Sequence, residues 1–209
     1  MVKSANIISR WLNANYNEIR KKRVASLNTP ICNFGWKATE FNLLGVDGKY
    51  YSLASSIGKN GILVMFICNH CPYVKAILPR LVNDVRELKM FGINTVAIMS
   101  NDSVDYQEDS FENMKKIAEN MNFPFPYLLD VTQVIAKDYG AVCTPDFFGF
   151  NNKAELQYRG RFDESRKDIA PNSTRDLFNA MKQIADTGMG PKLQIPSIGC
   201  SIKWKATND

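Results

Sequence analysis

Histidine is almost missing from this chain of 209 residues, which has only His70. There is also no second C-x-x-C to accompany the one at Cys68 and Cys71. Structural metal clips need about four ligands, so these two shortages argue against one. The five cysteines are odd in number, which speaks against a closed set of structural disulfides. No apolar stretch reaches the roughly 18 residues of a membrane span, and no signal-peptide core stands near the N-terminus. Those absences make a reducing cytoplasm the expected location, where retained cysteines tend to be catalytic or metal-binding. Internal repeats and low-complexity segments are absent too. The net charge of +5 is thinly spread, giving no reason to expect nucleic acid as a partner, and no membrane is expected. The 45% hydrophobic and 22% charged residues are ordinary for a globular chain long enough to bury a substantial core.

What is present centres on Ile62 to Leu78, ILVMFICNHCPYVKAIL. Leu63 to Ile67 suits a strand buried on both faces, as inside a parallel sheet. Pro72 suits the first turn of a helix, where its missing N–H costs nothing. Val74, Ile77, Leu78, Leu81, Val82, Val85 and Leu88 then repeat at helical spacing. Cys68 and Cys71 thus sit where a strand hands over to a helix. Free N–H groups and the helix dipole there favour the thiolate, the reactive form. Redox chemistry is therefore expected of this pair.

Around it, Phe41 to Leu44, Asp47-Gly48 and Lys49 to Leu53 read as a hairpin. Ile93 to Met99 reads as a second apolar strand ending in the polar loop Ser100 to Ser103. Ser110 to Met121 reads as a helix, and Phe123 to Pro126 as a rigid turn into a strand, Tyr127 to Leu129. Val131 to Tyr139 is a helix stopped by Gly140. Phe147 to Phe150 and Leu156 to Arg159 form a second hairpin, and Thr174 to Ala185 a last helix. The order predicts an α/β fold with a mixed sheet and helices on both faces. Residues 1–30 form an N-terminal unit, 31–188 the main domain and 189–209 an irregular tail without strand or helix period. Ile7, Ile8, Trp11, Leu12, Tyr16 and Ile19 give the N-terminal unit an amphipathic helix, expected to pack on a second subunit in a homodimer.

The sequence resembles the thioredoxin superfamily, and within it the redoxin, peroxiredoxin-like branch of alkyl hydroperoxide reductase and thiol-specific antioxidant proteins. The resemblance runs from about Asn33 to Trp204. It is carried by FNLLGVDGKYYSL, FICNHCPYV, YGAVCTPDFF, YRGRFD and PSIGCSIKW. It implies a thioredoxin-like fold with Cys68 and Cys71 as the catalytic dithiol. Pro145 would be the cis-proline facing them, with Thr144 offering its backbone to a substrate chain as an added strand. His70 and Pro72 would support the pair; His70, just before the second cysteine, is placed as in oxidising dithiol enzymes. A solvated loop histidine is the equal alternative. Against the peroxiredoxin pattern, Val64 and Cys68 occupy the positions of a Pro and a Thr or Ser before the peroxide-attacking cysteine. Ile62 to Ile67 contains no buried acid for proton transfer, leaving Asp146, Glu164 or water.

The expected activity is thiol–disulfide exchange through Cys68 and Cys71. The more exposed thiolate attacks; thioredoxin-like reasoning favours Cys68 and peroxiredoxin alignment Cys71, and Cys68 is the expected nucleophile. No dissociable cofactor is needed, only an electron donor such as a reductase or thiol, and a protein or small-molecule disulfide or peroxide as substrate. The alternatives are a thiol peroxidase using Cys71, and a non-enzymatic Cu(I) protein using Cys68, His70, Cys71 and Cys200. Cys143 is a further candidate thiol or a core filler, and Cys200 a resolving cysteine or an inert one. Arg161 is a candidate anion ligand or a salt-bridge partner of Asp163 or Glu164.

Overall fold

A computed structural model of the chain describes residues 26–206. The amphipathic helix expected within the first 25 residues, and the dimer built on it, lie outside the described residues.

Ten strands and five α-helices follow one another from Ser26 to Ser201. The central strand β4, Gly61–Phe66, is buried at every position. It pairs parallel with β5, Ile93–Met99, and antiparallel with β8, Asp146–Asn151. Beyond β5 come β6, Tyr127–Leu129, then the hairpin of β2, Asn42–Gly45, and β3, Tyr50–Ser52; beyond β8 comes β9, Leu156–Tyr158. The result is a seven-stranded mixed sheet in the order β3-β2-β6-β5-β4-β8-β9.

Side chains of β4 alternate between two cores, as strand geometry requires. Leu63 and Met65 face a core shared with α2, Pro72–Met90, α3, Phe111–Asn120, and α5, Asp176–Thr187. Ile62, Val64 and Phe66 face the opposite core, with Leu53 of α1, Leu53–Ser56, and Ala136 of α4, Val134–Asp138. This is the thioredoxin-like arrangement, with helices on both faces of the sheet. The strand can begin only at a glycine: Gly61 has φ of 147°, and a Cβ there would lie 2.2 Å from the Phe150 carbonyl oxygen.

A second, three-stranded sheet has the order β1-β10-β7. It joins β1, Ser26–Asn28, β10, Ile198–Ser201, and β7, Cys143–Thr144. This corrects the reading of the C-terminal segment as irregular. Ile198 to Ser201 is a strand because β1 and β7 satisfy its backbone on both sides. The helix expected from Val131 to Tyr139 is also shorter, starting at Val134 after Gln133 takes a left-handed φ of 62°. Among the described residues no helix is long and apolar enough to cross a membrane.

Candidate active site

β4 ends at Phe66, and the chain then turns through Ile67 to His70 before Cys71 caps α2, with Pro72 in the first turn. Opposite stands β7 and the Thr144–Pro145 peptide bond, which is cis. The dithiol is packed against it. Cys68 Sγ lies 3.3 Å from Thr144 Oγ1, and the Cys71 thiol reaches the Thr144 carbonyl oxygen at 3.1 Å. All five cysteines are free thiols. Exposure does not choose between the two cysteines, since Cys68 is 1% exposed and Cys71 fully buried.

Charge does separate them. Cys71 is drawn down to about 2 by the thiol of Cys200, then by that of Cys68, both hydrogen-bonding to it; the Val74 N–H and Thr144 add to this against burial. A sulfur at the N-cap of a 19-residue helix is also where the helix dipole favours negative charge. Cys68 moves the other way: burial raises it most, then its hydrogen bond to Cys71, then the charge of Asp109. Of the two sulfurs, Cys71 is therefore the one at which negative charge is favoured, and Cys68 the one at which it is opposed.

Cys200 stands 3.0 Å from Cys71, sulfur to sulfur, carried there by β10. It is a buried strand residue rather than part of a structureless tail. Cys143 is buried on β7 with its Sγ 3.6 Å from the Pro145 carbonyl oxygen, and burial followed by the charge of Asp146 pushes its thiol far up. That suits an inert core residue. Cys32 is raised to about 11, chiefly by burial.

His70 is not a solvated loop residue. Its Nδ1–H donates to Asp109 Oδ2 at 2.6 Å, its ring stacks on Tyr106, and its Nδ1 is 3.8 Å from Cys68 Sγ. Asp109 is fully buried and accepts from the Asn69 N–H at 2.8 Å, the His70 N–H at 3.2 Å and Asn101 Nδ2 at 2.8 Å. Burial alone would raise its carboxyl, but the donors led by His70 and Asn101 outweigh that and hold it below the usual range.

Asp109 is thus the buried acid of the site, and sequence reasoning missed it. Asp146 is instead paired with Arg159 at 3.0 Å, and Glu164 sits on the surface near Arg161 at 3.4 Å. Arg161 Nε is itself bonded to Asp176 at 2.6 Å. It reaches the site only as one wall of a cavity of about 240 Å³ that Pro145 and Tyr73 also line. Donor atoms of Cys68, His70 and Asp109 come within 4.8 Å of one another, the set a metal ion would find. His70 Nδ1 would have to leave Asp109 to serve it.

The chain resembles an uncharacterised conserved protein from Geobacillus kaustophilus, with 41% identity over 88% of this chain and 98% of that one and a TM-score of 0.83. It also resembles a hypothetical protein from Sinorhizobium meliloti, with 35% identity over 88% and 100% of the two chains and a TM-score of 0.83. The thioredoxin domain of a thiol-disulfide oxidoreductase from Bacteroides vulgatus shares the fold at 19% identity, covering 73% of this chain and 97% of that one with a TM-score of 0.57. No curated protein sequence matches the chain. The model of the AhpC/TSA family matches residues 34–162, which takes in β2 to β9, the dithiol and the cis-proline. A match over more than half of the chain, on a thioredoxin-like fold, makes this protein a member of the AhpC/TSA family, in the redoxin branch of the thioredoxin superfamily.

Proposed function

We propose that the protein is a thiol–disulfide oxidoreductase working through Cys68 and Cys71. The observation that carries the reading is the Cys68–Cys71 pair at the start of α2, with Cys71 Sγ 3.1 Å from the Thr144 carbonyl oxygen beside the cis Pro145. The Cys71 thiolate attacks one sulfur of an external disulfide, forming a mixed disulfide and releasing one thiolate. Cys68 then gives its proton to that leaving thiolate and attacks Cys71 Sγ. The second substrate sulfur departs as a thiolate, protonated by water, and a Cys68–Cys71 disulfide remains. Two electrons have passed to the substrate, and an external thiol or reductase returns them. This assigns the attack to Cys71 rather than Cys68, because the donors collect at Cys71 while Asp109 opposes charge at Cys68.

The test is a single turnover with oxidised glutathione. Reduced wild-type protein is expected to release two glutathiones per chain and to end with Cys68 linked to Cys71. Cys71→Ser is expected to release none. Undiminished release by Cys71→Ser would overturn the reading. The same thiolate supports a second reading, a thiol peroxidase using Cys71. It requires hydrogen peroxide to be consumed faster than glutathione disulfide by the reduced protein.

A further inference from the structure

β10 lies beyond the residues matched by the family model, 34–162, and the exchange described above makes no use of it. Its placement is nevertheless specific. β10 pairs antiparallel with β7, with Cys200 opposite Thr144 and Ser201 opposite Cys143. That edge adjoins Pro145, and an added strand is how extended chains bind an open sheet edge. Here the chain's own strand fills it. Gly199 permits the approach: a Cβ at this position would stand 2.1 Å from the Thr144 carbonyl oxygen. The far side of β10 is held by β1, with Leu27 opposite Gly199. Its ends are pinned by Ser197 Oγ, donating to the Pro145 carbonyl at 2.9 Å, and by the Lys203 N–H, donating to Asn101 Oδ1 at 2.9 Å.

This register sets Cys200 Sγ 3.0 Å from Cys71 Sγ in a buried site. A disulfide bond is about 2.05 Å long, so closing one asks the two sulfurs to approach by only about 1 Å. No hydrogen bond joins Cys200 to Cys68 among the described residues, and each of them meets Cys71.

We propose that Cys200 is a second disulfide partner of Cys71, so that Cys71 closes a bond either to Cys68 or to Cys200. The proposal rests on the dithiol reading above. With Cys71 in a mixed disulfide with a small thiol, Cys200 loses its proton and attacks Cys71 Sγ. The bond from Cys71 to the small thiol breaks, that thiol leaves with the proton, and the Cys71–Cys200 bond forms. The external disulfide has then gained two electrons and become two thiols. In a second exchange the Cys68 thiolate attacks Cys71 Sγ and expels Cys200 as thiolate, which takes up the Cys68 proton with no net oxidation. Cys71 is the shared sulfur of a three-thiol relay, and β10 carries its third member.

The experiment is disulfide mapping of the full-length chain after oxidation by diamide, which accepts the two electrons and two protons as its hydrazine. Remaining thiols are alkylated, and linked peptides are identified by mass spectrometry. Wild type under limiting diamide is expected to give both Cys68–Cys71 and Cys71–Cys200 peptides. Cys68→Ser is expected to give Cys71–Cys200 as its main product, and Cys71→Ser neither of these. The proposal is overturned if wild type gives only Cys68–Cys71 while Cys200 is recovered alkylated; this readout needs no variant to fold. A wild type that gives Cys71–Cys200 without Cys68–Cys71 would refute the dithiol reading and leave Cys200 as the partner of Cys71.

Discussion

Replacing Asp109 by Asn keeps the shape of the side chain and removes its charge and one of its two acceptor oxygens. The buried carboxylate takes four hydrogen bonds: Asn69 N–H and His70 N–H on Oδ1, His70 Nδ1–H and Asn101 Nδ2 on Oδ2. The new amide can serve the first two through its oxygen, but its NH₂ faces two donors. His70 can answer by moving its proton to Nε2, yet that atom is buried without a partner. Asn101 cannot turn its oxygen inward without abandoning the Lys203 N–H, which it holds at 2.9 Å. Two buried donors are therefore stranded whichever tautomer forms. At about 1–3 kcal/mol for each, the loss is about 2–6 kcal/mol. For a chain of this size that lowers Tm by roughly 5–20 °C. Thermal unfolding of the reduced protein reads the loss. Asp138→Asn, the same change at an exposed position of α4, is the control and should fall within about 0.5 kcal/mol of wild type. A second readout separates packing from charge. The Asp109 carboxylate pushes the Cys68 thiol up, so Asp109→Asn should make Cys68 ionise more readily and alkylate faster in the folded protein. A Tm change no larger than the control's would refute the accounting of donors. Slower alkylation of Cys68 would refute the electrostatic part.

Two further outcomes follow from the same geometry. The folded pKa of Cys71, about 2, lies below the ordinary thiol value of 9.0, so its stabilisation is complete above the latter and is lost as pH falls through the former. Between them the unfolded chain binds one more proton, and the stability of the reduced protein should rise with pH by up to about 1.4 kcal/mol per unit. Urea unfolding between about pH 5 and about pH 8 should show this slope in wild type and not in Cys71→Ser; equal slopes would refute it. Gly199→Ala would drive a Cβ into the Thr144 carbonyl and force β10 away from β7. The yield of the Cys71–Cys200 peptide should then fall about tenfold while Cys68–Cys71 persists, at the 1–3 kcal/mol cost typical of overpacking. An unchanged yield would show that the register of β10 does not set the sulfur contact.

The elements that proved legible in the sequence are those whose partners are implied by their own side chains. Leu63 to Ile67 could only be a strand covered on both faces, and Val74 to Leu88 carries its helix in its spacing. β6 was readable because Phe123-Pro124-Phe125-Pro126 forces a turn just before three apolar residues. β10 gives no such sign. Ile198-Gly199-Cys200-Ser201 holds one aliphatic residue, and it is a strand because β1 and β7, far away in sequence, supply its hydrogen bonds.

The same distinction explains what was readable of the active site. The strand–C-x-x-C–helix order announces a thiolate, since the helix start that favours it lies within the motif itself. The groups that decide where its charge settles come from elsewhere: Asp109 is 39 residues from His70, and Cys200 is 129 residues from Cys71. A lone histidine beside a dithiol was a reason to look for a buried acid, and Glu108-Asp109 before the helix-capping Ser110 was the one acidic pair close to the loop after β5. What hid it is that nothing local to Glu108-Asp109-Ser110 turns the carboxylate inward; its partners, Asn69 and His70, lie about 40 residues earlier in the chain. The chain then closes this network on itself. Two residues beyond β10, Lys203 holds Asn101, Asn101 holds Asp109, and Asp109 holds His70 beside Cys68. The strand that delivers Cys200 to Cys71 is thus tied, through two hydrogen bonds, to the acid whose charge adds to burial in raising Cys68.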